Sequence, residues 1–148
     1  MKRHYITKTL IVLWVGVIFM NSLLPGEVSS RQSGFVVNVL NRFFGLFNYE
    51  PDVDELSSII RMVAHFIEFA VLGFFIRIEM HQKPYQSYLM LIFGFSIALI
   101  DELIQLGVPG RAFQLTDLLI DWSGVVLGII ITSFYFKIIS KKNNLLEE

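Results

Sequence analysis

The sequence predicts an all-α integral membrane bundle of four transmembrane helices, with an amphipathic helix in the long external connection between spans 1 and 2. Three observations predict it. Hydrophobic residues make up 54% of the chain and charged residues only 17%, too little polar cover for a soluble domain of 148 residues. The mean hydropathy is +0.60, and the charges bunch between apolar runs instead of alternating with them. Four of those runs approach the roughly 20 residues that a helix needs to cross the hydrocarbon core.

The first span is placed at about 9–24, ended by Pro25-Gly26. The second covers about 56–78, the third about 85–106 after Pro84, and the fourth about 113–139. No repeat or low-complexity tract divides the chain, so residues 1–148 are read as a single membrane domain. The connection after the first span runs to about 30 residues, long for a structureless loop. Within it Phe35, Val36, Val39, Leu40, Phe43, Phe44 and Phe47 recur at helical spacing. This pattern predicts an amphipathic helix, either lying in the headgroup region or capping the bundle.

Basic residues set the orientation. Lys2, Arg3, Lys8, Arg77, Lys83, Lys137, Lys141 and Lys142, eight of the twelve, fall on one side. Both termini are therefore expected in the cytoplasm and the long connection outside. A cleavable signal peptide competes for the first segment, with Val28-Ser29-Ser30 as the cut; it would leave three spans. A net charge of −1 gives no support for nucleic-acid binding, and the absence of cysteine excludes disulfides and thiolate ligands.

This topology brings the costly residues together. Arg61, His65 and Glu68 share one face of the second span at i, i+4 and i+7. They descend roughly 10 Å through the outer leaflet. The third span delivers Asp101, Glu102 and Gln105 to the same depth; Asp101 and Gln105 share a face with Gly94 and Ala98, while Glu102 lies about 100° round. The fourth brings Asp117 and Asp121, with Gly124 and Gly128 continuing their stripe as a close-packing surface. Asn21 and Ser22 can line the remaining wall, and the turn from Gly107 to Arg111 holds Arg111 over the mouth.

Each residue also has a plain structural reading. Arg61 can snorkel to the interface, His65 can be a packing histidine, and Asp117 can cap a helix. Glu68 with Arg61 can be a structural pair, and the whole set a structural network. Against the last stands its desolvation cost, which apolar residues would avoid.

Counting charge narrows the choice. Five carboxylates face Arg61, Arg111 and His65, leaving a net −3 with His65 neutral. Such a surplus calls for protons, water or a bound cation. Mg²⁺, Mn²⁺ or Ca²⁺ suits one histidine among carboxylates better than structural zinc does, with Asp101, Asp117 and Asp121 as ligands. Ser22, Arg61, Gln105 and Arg111 form the expected ligand-binding set, the arginines suiting an anionic phosphate or carboxylate. Membrane lipids and a lipid-linked or headgroup ligand are the expected partners.

The rival reading is a hydrolase or transferase with His65, Glu68 and Glu102 as catalytic acid and base. A proton or ion pathway is disfavoured because the inner halves of the spans are almost wholly apolar.

These residues resemble the VanZ-like family. The resemblance rests on Ser22 near Pro25-Gly26, Arg61-x3-His65, Asp101-Glu102-x2-Gln105, Pro109-Gly110-Arg111 and Asp117-x3-Asp121-x2-Gly124-x3-Gly128. It covers almost the whole chain, although 34–54 carries no matching motif. Arg61 stands where lysine is frequent and keeps the charge; Phe69 stands where tyrosine is frequent and removes a hydroxyl. The resemblance implies a bacterial plasma-membrane protein of the cell envelope. The founding member of that family is linked to resistance to the glycopeptide teicoplanin, which makes a lipid-linked cell-wall precursor or glycopeptide-related ligand a candidate partner, while resistance itself does not follow for this chain.

Overall fold

In the computed structural model, which describes residues 2–47, 51–80 and 87–144, the described chain is helical apart from turns and short connections. Five helices follow in order: α1 (Lys2–Ser22), α2 (Gly26–Gly45), α3 (Val53–Glu79), α4 (Ser87–Gln105) and α5 (Leu115–Asn144). α1, α3, α4 and α5 are long and apolar enough to cross a membrane. The chain is a multi-pass membrane protein.

The bundle is apolar on the outside. Val12, Leu13, Ile92, Ile130 and Phe134 are exposed on its flanks, whereas Ser22, Asp101, Glu102, Gln105 and Asp121 are buried. Lipid solvates the first group; the second must find partners within the protein. Ile18, Phe69, Leu72, Met90, Ala98 and Val125 form the apolar core between the helices.

α3 and α5 make the most extensive helix pair. Gly124 lies against the α3 backbone at Phe66, and Gly128 against it at Ala70; a side chain at either position would collide with those carbonyls. Gly73 meets the backbone of Val125 from the opposite side. Small residues thus let the two backbones touch, as close packing in lipid requires.

Helix ends differ from the sequence-based bounds for identifiable reasons. α3 starts at Val53 because Asp52 caps it, its Oδ1 accepting from the Asp54 N–H at 2.8 Å and the Glu55 N–H at 3.1 Å. α1 begins upstream of its apolar stretch, since hydropathy marks membrane contact and not helix length. α2 begins at Gly26, nine residues before the apolar pattern at Phe35. It packs on α3, with Val37 buried and Phe35, Val39 and Phe43 exposed. The expected start of the third span at Tyr85, after Pro84, lies outside the described residues.

The two ends of the bundle carry different chemistry. At one, Lys8 pairs with Glu79 at 4.0 Å, and the Arg77 Nε donates to Ser133 Oγ at 2.7 Å. At the other, Gly26 N–H donates to Pro109 O at 3.2 Å and joins the start of α2 to the α4–α5 turn. A Cβ at Gly26 would come within 2.6 Å of the Gly110 carbonyl oxygen, so the position needs glycine. Gly110 itself has φ +75°, and Arg111 N–H closes the turn onto Val108 O.

Candidate functional site

Next to that turn lies a cavity of about 590 Å³. α3 contributes Arg61 and His65 to its wall, α4 Glu102 and Gln105, α5 Asp117 and Asp121, and the turn Arg111. Seven of the ten expected site residues therefore border one space. The other three, Ser22, Glu68 and Asp101, do not line it; Asp101 bonds to Gln105 of the wall, Ser22 bonds to Asp101, and Glu68 bonds to α1.

Ser22 is fully buried, and its hydroxyl donates to Asp101 Oδ1 at 2.6 Å. Glu68 turns to α1, where Asn21 Nδ2 donates to its Oε1 at 2.6 Å and the Trp14 indole N–H to its backbone carbonyl at 2.9 Å. Asp101 also accepts from Gln105 Nε2, through Oδ2 at 3.1 Å. The same amide nitrogen lies 3.3 Å from Glu102 Oε1, and the amide oxygen accepts from Arg111 Nη1 at 3.2 Å. Gln105 is thus the hinge between carboxylates and guanidinium.

Several polar atoms are left over. Asp121 is 1% exposed, and its Oδ2 is buried without a hydrogen-bond partner, as is His65 Nδ1. An unsatisfied atom of this kind costs about 1–3 kcal/mol. Donor atoms of His65, Asp101 and Asp121 lie within 4.8 Å of one another, close enough to share a cation. Asp117 borders the cavity but does not belong to this group among the described residues.

Arg61 and Arg111 form no ion pair among the described residues. Arg111 Nε is buried and unpartnered. Burial, and then the charge of Arg61, lower the pKa of the Arg111 guanidinium, while Asp101, Glu102 and Asp117 raise it. A guanidinium remains protonated under such influences. Two positive groups therefore face one cavity while each lacks a bonded anion.

Some contributors escaped the sequence reading. Gln114 backbone N–H donates to Glu102 Oε2 at 3.0 Å, drawing that side chain to the cavity despite its offset on the helical wheel. Ser58 joins the rim. Its place one turn before Arg61 was the available signal.

A family model described as VanZ/LLP1 matches residues 8–137. The chain belongs to the VanZ/LLP1 family. The match reaches into all four membrane helices and includes every residue of the cavity wall. No curated protein and no solved structure matches this VanZ/LLP1 chain.

Proposed function

We propose that this VanZ/LLP1 protein binds the anionic headgroup of a lipid-linked envelope component in the cavity, from the outer leaflet of the bacterial plasma membrane. The observation that carries the reading is that two guanidinium groups, Arg61 and Arg111, line one open cavity and form no ion pair among the described residues. Guanidinium forks match phosphate geometry, and a charged oxygen between them relieves their mutual repulsion. Gln105 supports Arg111 from below.

Orientation supports the same reading. Lys8 and Arg77 lie at the end away from the cavity, and Lys137, Lys141 and Lys142 follow toward the C-terminus of α5. The positive-inside rule puts that end, with both termini, in the cytoplasm. α2 then rests in the outer headgroup region, with Phe35, Val39 and Phe43 turned to lipid. Sequestering a cell-wall precursor headgroup there would give the protein a part in teicoplanin tolerance.

The test is native mass spectrometry of the purified protein with an anionic diphosphate lipid and a zwitterionic control. Each of Arg61→Ala and Arg111→Ala should weaken retention of the anionic lipid by roughly 10- to 100-fold, as loss of a charge-assisted hydrogen bond implies. Cells carrying the variants should lose whatever teicoplanin tolerance the wild type confers. Equal retention of both lipids by wild type and variants would refute the reading.

A membrane-embedded hydrolase or transferase is the second reading, favoured by His65 and Glu102 on the wall of the same cavity. They would serve as base and acid, with Glu68 acting from outside the lining. Turnover of a lipid-linked substrate that ceases in His65→Ala would favour this reading over binding alone.

A further inference from the structure

We propose that His65, Asp101 and Asp121 form a binding site for a divalent first-row transition-metal ion, Mn²⁺ or Zn²⁺, at the floor of the cavity. Three helices deliver the three side chains, and their donor atoms lie within 4.8 Å of one another. Bonds of about 2.0–2.2 Å bring such donors onto one ion after small side-chain movements. Asp121 is the independent sign that something belongs there. It is 1% exposed, borders the cavity, and keeps an oxygen without any hydrogen-bond partner.

The chemistry of the donors selects the ion. Imidazole nitrogen favours transition metals, while carboxylate oxygen accepts Mn²⁺ and Zn²⁺ alike. Two buried carboxylates against one divalent charge leave the floor neutral, removing the cost of an uncompensated anion. Asp101 is already oriented by Ser22 and Gln105, one on each oxygen, and each oxygen keeps a further lone pair. Hydrogen bonds of this kind commonly fix a metal-ligating carboxylate.

Three protein ligands leave coordination positions open toward the cavity, where a water or a phosphate oxygen fits. Only this last point rests on the anion-binding reading above; the ion's three protein bonds do not.

The experiment uses the full-length protein in neutral detergent, stripped with chelator, with no lipid anion added. Titrated Mn²⁺ is read by electron paramagnetic resonance, and Zn²⁺ by its competition. The expected result is saturable binding of one ion per chain, with nitrogen modulation of the Mn²⁺ signal from the imidazole. His65→Ala and Asp121→Asn should abolish it, whereas Asp117→Asn should keep it. Ser22→Ala, which touches no ion, should weaken affinity by roughly 10- to 100-fold.

Absence of saturable binding, or a bound signal without nitrogen modulation, overturns the site whatever the variants do. Equal loss in Asp117→Asn overturns the assignment of these three ligands. Arg61→Ala and Arg111→Ala should still bind Mn²⁺. Metal without anionic lipid therefore defeats only the headgroup reading, and lipid without metal only this one.

Discussion

Asp121 shows how a single residue can weigh against stability. Its buried, unpartnered oxygen is a liability in the ligand-free protein. In chelator-treated samples Asp121→Asn should raise the thermal midpoint in detergent, by the equivalent of about 1–2 kcal/mol, because a neutral amide is less costly to bury. An unchanged or lowered midpoint would show that Asp121 already has a compensating partner. Much at this scale was legible: spacing alone put Arg61 with His65 and Asp117 with Asp121 on shared faces. Partner choice was not, because it depends on rotation about α1. Ser22 reaches Asp101 and Asn21 reaches Glu68 across helices separated by 79 and 47 positions in the chain. Glu102 misled the helical wheel for another reason: a loop nitrogen, Gln114 N–H, recruits it.

Among the helices, the α3–α5 contact sets the height at which the cavity opens. Below Asp121 the backbones touch at Gly124 and Gly128; above it, Ile120 and Asp117 border open space. Gly128→Ala should destabilise the bundle by about 1–3 kcal/mol through overpacking against Ala70, measured by thermal unfolding. Gly16→Ala, in α1 with nothing within 4 Å of the new methyl, should be neutral or stabilising by about 0.5–1 kcal/mol through lower chain entropy. Equal effects at both positions would mean that the glycine contact is not what joins the helices. The glycine stripe was readable from its four-residue period. The origin of α2 was not: Pro25-Gly26 reads as the stop of one helix, yet it also starts the next, because Gly26 docks on Gly110. Two Pro-Gly pairs 84 positions apart thus meet at one corner, and no local pattern announces that meeting.

Across the described residues, polarity is segregated by depth, which favours a chamber open at one end over a conduit. From the cavity floor toward the far end come Phe69, Leu72, Ile76, Met90 and Val125, all buried and apolar. Thr132, a buried polar residue at that depth, donates back to Gly128 O at 2.7 Å. Hydropathy alone suggested this closure, since the inner halves of the spans are almost wholly apolar; the core cluster between the helices is apolar among the described residues. Orientation follows from charge asymmetry and is checked with Asn38→Cys and Asn143→Cys in intact cells. Only the first should react with an impermeant thiol reagent, and labelling at position 143 alone would invert the topology. Sealing of the inner half leads to a separate expectation for transport. Reconstituted protein should pass neither protons nor Mn²⁺ above the leak of empty liposomes, even when both occupy the cavity. Flux that scales with protein and falls in His65→Ala would require a polar path through Leu72 and Val125, and with it a rearrangement of the α3–α5 contact.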